Sequence, residues 1–204
     1  MNVKQVQQKL IKGNQRFVNN QTIRAEFLPQ QNEPEPQKPF AIVLGCSDSR
    51  VPIETIFDQG FGDLFIIRIA GNIIAPSQIG SIEFAVSMYQ TPLVVVLGHT
   101  HCGAVSASID AHKNKNNLST GVHSITKRIQ PVIDSIIEKN PDYSHEDLVC
   151  QVVDANIEQS VLQLQQSSEI IRTAMESDQL DIVGAKYILK TGEVTFFPAQ
   201  SKKI

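Results

Sequence analysis

At 204 residues, with 41% hydrophobic and 19% charged side chains, the chain has the length of one domain with a sizeable core, and its composition excludes disordered and fibrous classes. A formal net charge of −3 gives no basic footprint for nucleic acid or an anionic membrane surface. No run approaches the roughly 20 apolar residues of a membrane span, and the polar start Met1-Asn2-Val3-Lys4-Gln5 lacks the apolar core of a signal peptide, so a cytoplasmic location is expected.

Residues 2–19 carry Val3, Val6, Leu10, Phe17 and Val18 near helical spacing, with Asn2 available as the cap, and predict an amphipathic helix. Residues 21–39 are rich in Gln and Pro, include Glu33-Pro34-Glu35-Pro36, and read as an extended surface arm suited to packing on a second subunit. The chain therefore divides into an N-terminal helix and arm, 1–39, and an α/β core, 40–204, within one domain overall. Phe40-Ala41-Ile42-Val43-Leu44 is apolar and branched, is ended by Gly45, and reads as a buried parallel strand. A short helix over 52–57 and the turn-forming Asp58-Gln59-Gly60-Phe61-Gly62-Asp63 follow. Leu64-Phe65-Ile66-Ile67-Arg68-Ile69-Ala70 reads as a second buried strand. Its one charge, Arg68, must find a partner at the strand end or at an interface.

Pro76 suits the first turn of a helix through about residue 90, and Leu93-Val94-Val95-Val96-Leu97 is the next strand, a β-helix-β unit that favours parallel pairing. A helix is expected just past Cys102 and a polar loop over 113–117. Ile125, Ile129, Val132, Ile133 and Ile136 mark a helix over 119–139, bent or begun afresh near Pro131. Ser144, with Asp147 three residues on, caps a long helix through Leu148, Val152, Ile157, Val161 and Leu164, and another starts at Ser168. Cys150 lies on an apolar stretch of the first of these and reads as a buried small hydrophobe. Residues 180–189 and 194–197, around Thr191-Gly192, read as a strand and its hairpin partner. The sum is an α/β fold, with a mostly parallel central sheet of about four to five strands flanked by helices and an N-terminal helical arm.

Two strands end in soft-metal ligands: Cys46 after the first, and His99-Thr100-His101-Cys102-Gly103 after the third. An odd count of three cysteines argues against a disulfide framework and for metal or thiol chemistry. Cys46, His99 and Cys102 would give zinc three protein ligands and leave a fourth position for water or substrate. Cys46 and His99 lie far outside zinc-finger spacing, so only a folded sheet can bring them together. Asp48 and Arg50 differ by two positions and face the same way along an extended chain, so they can pair and orient a zinc-bound water. Alternatively, Asp48 binds zinc and shuts the site, or the thiols form a closed structural site.

Taken together, Cys46-Ser47-Asp48-Ser49-Arg50 and His99-Thr100-His101-Cys102-Gly103 resemble the β-class carbonic anhydrases. Gln37 and Phe65 stand at the offsets from Cys46 at which that family lines its CO2 pocket, and Arg68 and Asn72 also fit. The resemblance implies reversible hydration of CO2 to bicarbonate and a proton by a zinc-bound hydroxide, with one Zn2+ per subunit on Cys46, His99 and Cys102. It further implies Asp48 and Arg50 as the orienting pair, Phe65 and Gly103 at the pocket, Gln37 donating from a neighbouring subunit, and a homodimer or homotetramer. A subgroup of the family binds inhibitory bicarbonate beside a Trp three places before the first Cys; that place is Val43 here and the chain has no Trp, so this inhibition is expected to be absent. Phe84 stands where many relatives have Tyr, which removes a phenol from the expected pocket rim. His101 is a candidate proton shuttle, whereas His112, His123 and His145 read as solvated. Carbonyl sulfide or carbon disulfide hydrolysis on the same scaffold, and a non-catalytic zinc-binding protein, are the rival readings.

Overall fold

Asn2 opens the first helix, α1 (Val3–Val18), with a reciprocal cap: its side chain accepts the Gln5 N–H and the Gln5 side chain accepts the Asn2 N–H, both at 3.0 Å. The structure, a computed structural model, describes residues 1–23, 36–114 and 118–198; most of the arm predicted over 21–39 lies outside them. The strands are β1 (Ala41–Gly45), β2 (Leu64–Arg68), β3 (Leu93–His99), β4 (Asp181–Tyr187) and β5 (Val194–Phe196). They form one sheet in the order β2-β1-β3-β4-β5, parallel except for β5, which pairs antiparallel to β4 through the hairpin at Gly192. The helices that follow α1 are α2 (Ile53–Ile56), α3 (Pro76–Tyr89), α4 (Gly103–Asn114), α5 (Thr120–Lys139), α6 (His145–Ser167) and α7 (Glu169–Glu176).

The alternation of side chains along a strand divides the core in two. Ile42 and Leu44 of β1, with Val94 and Val96 of β3, pack under helices α3 to α7, whereas Ala41, Val43, Val95 and Leu97 pack on the other face with Val6 and Leu10 of α1 and Ile53 and Ile56 of α2. Every residue of β1 and β3 is buried, which explains why both read as unbroken apolar runs. On one face the helix approaches unusually closely. A β-carbon added at Gly98 of β3 or Gly184 of β4 would fall 2.5 or 2.7 Å from the Ile157 side chain, so these two glycines form the depression into which α6 seats.

Four sequence expectations need correction. β2 is the edge strand and is largely half-buried, because β1 covers only one of its sides and no described strand pairs with the other. Cys150 is exposed: Leu148, Val149, Val152 and Val153 carry the inward face of α6, and Cys150 falls between them on the outer side. The helix expected over 119–139 does not begin afresh at Pro131: α5 continues through it, and Pro131 stands on the exposed side, where water can take the carbonyl that a proline leaves unbonded. Finally, α4 continues through the first residues of the loop expected from 113. No helix among the described residues is long and apolar enough to cross a membrane.

Gly13 places α1 directly against the end of α2, since a β-carbon there would lie 1.8 Å from the Phe57 carbonyl oxygen. Backbone cannot yield as a flexible side chain can. Gly13→Ala is therefore expected to cost about 2 kcal/mol or more and to lower the melting temperature by roughly 5 °C in thermal unfolding followed by circular dichroism. Gly121→Ala on α5, where a β-carbon meets nothing within 4 Å, should leave it unchanged or slightly raised.

Candidate metal centre at the carboxyl ends of β1 and β3

β1 has β2 on one side and β3 on the other, so the chain leaving β2 crosses over β1 to begin β3. A reversal of strand order of this kind opens a crevice at the carboxyl ends of the two central strands. Gly45 lies beside Leu97 in the parallel register, so Cys46 and Gly98-His99 leave the sheet side by side. Cys102 immediately precedes α4. Its sulfur, the sulfur of Cys46 and a ring nitrogen of His99 all lie within 4.8 Å of one another, and all three residues are buried. The two sulfurs are 4.0 Å apart.

His99 Nδ1 lies 2.9 Å from the Thr100 carbonyl oxygen, and since a carbonyl can only accept, this ring nitrogen carries the proton. The lone pair then sits on Nε2, which is buried with no hydrogen-bond partner among the described residues and stands 3.9 Å from Asp48 Oδ2. A buried imidazole lone pair facing two sulfurs is an arrangement that a cation would satisfy. Sulfur, sulfur and imidazole make a donor set suited to zinc. The residues present therefore fit a divalent metal of that kind.

The two thiols influence each other's ionisation. The contact with Cys102 lowers the pKa of Cys46, and the same contact together with burial raises that of Cys102. Gly71 N–H donates to the Cys46 sulfur at 3.3 Å, a further bond that favours the thiolate.

Asp48 and Arg50 pair as expected, but by a different geometry. The chain turns here, with Val51 N–H bonded to the Asp48 carbonyl at 3.0 Å and Arg50 N–H to Asp48 Oδ1 at 2.9 Å, so an Asp-anchored turn, and not an extended segment, brings the side chains together. Arg50 Nε donates to Oδ1 at 3.0 Å and Nη2 to Oδ2 at 2.8 Å, a two-pronged grip. The guanidinium of Arg50 holds the Asp48 carboxyl well below the usual carboxylate range, and the carboxylate raises the Arg50 pKa in turn. Arg68 reaches the strand end as the sequence suggested, where it donates to the main-chain carbonyls of Cys46 at 3.0 Å and Asp48 at 2.6 Å.

The other residues singled out in the sequence lie apart from this cluster. Phe65 is on β2 opposite Ile42, well back from the strand end, and stacks with Phe84 and Tyr89 at ring distances of 6.3 and 6.2 Å. Gln37 precedes the amino end of β1 and donates its side-chain amide to the Tyr89 hydroxyl at 2.8 Å. Gly103 begins α4 with nothing within 4 Å of where its β-carbon would be, which leaves open space beside Cys102. His101 is exposed and its carbonyl accepts from Arg50 Nη2 at 3.4 Å, while His112, His123 and His145 are exposed as expected. Sequence reasoning passed over Tyr89, Gly71, and Asn156 and Ser160 of α6. The last two had a visible signal: polar residues four apart on the helix face that also carries Val152, Val153, Ile157, Val161 and Leu164.

Comparison with known proteins identifies this arrangement. The sequence model of the family described as carbonic anhydrase matches residues 41–194. A carbonic anhydrase of Mycolicibacterium smegmatis is 37% identical over 184 residues, covering 89% of this chain and 87% of that protein. Carbonic anhydrase 2 of Mycobacterium tuberculosis is 39% identical over 157 residues, covering 76% and 73%. The crystal structure of a β-carbonic anhydrase of Aspergillus fumigatus superposes with a TM-score of 0.74 at 27% identity, over 82% of this chain and 79% of the other. By sequence, by fold and by the convergence of its thiols and imidazole at one crevice, the chain belongs to the β-class carbonic anhydrase family.

Proposed function

We propose that the protein is a carbonate dehydratase that catalyses the reversible hydration of CO2 to bicarbonate and a proton, with Zn2+ held by Cys46, His99 and Cys102. The observation that carries the reading is the placement of an ionised, acceptor-only carboxylate, Asp48, 3.9 Å from the unpaired nitrogen of a buried three-donor cluster. Zinc, when bound, supplies Lewis acidity that brings the deprotonation of water close to neutral pH. Asp48 does the orienting. Held ionised by Arg50, it can accept a hydrogen bond but not donate one, so an attacking oxygen must turn its hydrogen toward Asp48 and its lone pair toward the substrate. Both carboxylate oxygens are engaged by Arg50, which favours an open metal position over ligation by Asp48.

The positions of Gln37 and Phe65 support a homodimer or larger even assembly as part of the same reading. Of the eight residues between Gln37 and Cys46, the five of β1 alone span about 16 Å at the rise of an extended chain. Gln37 cannot serve the centre of its own subunit. It lies instead on a face formed by the edge strand β2 and by α3, where Phe84 is 49% and Met88 63% exposed, one helical turn apart on the same side. In the assembly we propose, this apolar face covers the crevice of a second subunit and delivers the Gln37 amide to it.

Stopped-flow CO2 hydration with metal analysis tests the catalytic reading. Cys46→Ala should lose both zinc and turnover, whereas Asp48→Asn, which can donate as well as accept, should keep zinc and lose turnover by about 10- to 100-fold. No CO2 turnover by fully metallated wild-type protein would overturn the assignment, and faster turnover of carbonyl sulfide or carbon disulfide would move it to those substrates. For the assembly, Met88→Asp should reduce the solution mass measured by light scattering, with turnover falling alongside; an unchanged mass would count against that interface.

A further inference from the structure

We propose that Asn156 of α6 is a positioning residue for Cys46, acting through the turn at residues 70–72; the proposal rests on the reading of Cys46, His99 and Cys102 as a metal centre. The route is short and buried. Asn156 is 4% exposed, and its Nδ2 donates to the Gly71 carbonyl at 2.9 Å. Ser160, one helical turn on, donates to the Asn72 carbonyl at 3.4 Å. The Gly71 N–H, on the other side of the same α-carbon, donates to the Cys46 sulfur at 3.3 Å.

What lies between the two bonds is one pair of dihedral angles belonging to a glycine. Gly71 has φ +69° and Asn72 φ +42°, so two successive residues are left-handed, and glycine is the residue least able to hold a conformation by itself. The direction of the N–H toward sulfur is therefore set by whatever grips the following peptide. Asn156 supplies that grip, and it supplies it from a fixed height. Its neighbour Ile157 is seated against Gly98 and Gly184 of the sheet, while Ile129 and Ala104 close in on Gly71 from the other helices, 3.0 and 3.3 Å from where a β-carbon would stand. An N–H held on a thiolate keeps its charge in place and aims the remaining sulfur lone pairs, and the loss of such outer partners weakens metal binding.

The test is a titration of metal-free protein with Co2+ in competition with a chelator, read by the sulfur-to-cobalt charge-transfer absorption, well below the melting temperature of every variant. Wild type should show the band. Asn156→Ala, and Asn156→Asp, which keeps the size but removes the donor, should bind Co2+ about 10- to 100-fold more weakly with an altered band. Ile157→Val loosens the same part of α6 without touching the turn, and should leave affinity and band unchanged even where it lowers the melting temperature. Wild-type affinity in both folded Asn156 variants would overturn the proposal, as would equal weakening by Ile157→Val, which would reduce the effect to general loosening. Should Asn156→Ala fail to fold, Asn156→Asp carries the test together with Ser160→Ala, for which a smaller weakening in the same direction is expected. Absence of the band in wild type would instead remove the metal-centre reading on which the proposal stands.

Discussion

The parallel pairing of β1 with β3 is the constraint on which the rest depends. Both strands are apolar on both faces and wholly buried, and each Val, Leu or Ile so buried contributes about 1.5–3 kcal/mol. Their register is fixed by two cores at once, since slipping by one residue would exchange the side chains that face α1 with those that face α6. Once that register is set, Cys46 and His99 emerge side by side with no further choice to make. In a zinc finger the metal itself organises the chain. Here the donors stand at the ends of strands whose register is fixed by the hydrophobic core, so the position of the cluster follows from packing that lies several residues away.

The charges at the crevice are then arranged around that fixed point. Asp48 is held as a carboxylate beside the Cys46 thiol, whose pKa is lowered, and the cations beside them, Arg50 and Arg68, divide the labour. Arg50 takes both carboxylate oxygens of Asp48 and reaches the carbonyl of His101, so it ties the loop after β1 to the loop after β3. Arg68 pairs with no carboxylate among the described residues and binds the carbonyls of Cys46 and Asp48. Its charge therefore remains available to balance the crevice while its hydrogen bonds fix the main chain. To become a metal ligand, Asp48 would have to give up charge-assisted bonds that hold it where it is.

How much of this was legible in the sequence follows from the range of the forces involved. The strands, the caps at Asn2 and Ser144 and the strand ends at which Cys46, His99 and Cys102 come together were readable because periodicity, capping and punctuation by glycine are local. The Asp48–Arg50 pair was anticipated by its residues but not by its geometry, because an Asp side chain that bonds the N–H two residues on makes a turn that simple strand alternation does not describe. The edge position of β2 and the exposure of Cys150 depend on which neighbours a strand or a helix face acquires, and a window of six residues cannot tell one side of α6 from the other. The bond from Asn156 to Gly71 joins residues 85 positions apart. Only the polarity of Asn156 and Ser160 on an otherwise apolar face hinted that something across the core required them.

Two of the six non-glycine residues with positive φ among the described residues lie at the crevice. His101, with φ +54°, lies between His99 and Cys102, and Asn72, with φ +42°, follows the glycine that donates to Cys46. The left-handed conformation is one that most side chains avoid, at about 1–2 kcal/mol per residue, and both residues are held in it by hydrogen bonds to their carbonyls. At His101 the reversal lets the chain pass from the end of β3 to the start of α4 quickly enough that an imidazole and a thiol close in sequence face one point. At Asn72 it bends the chain leaving β2 back over Cys46. Support comes from Arg50 on the His101 carbonyl in the first case and from Ser160 on the Asn72 carbonyl in the second. The crevice is thus held from the loop after β1 by Arg50 and from α6 by Ser160, and a change that lets α6 rise from the sheet would release the turn over Cys46.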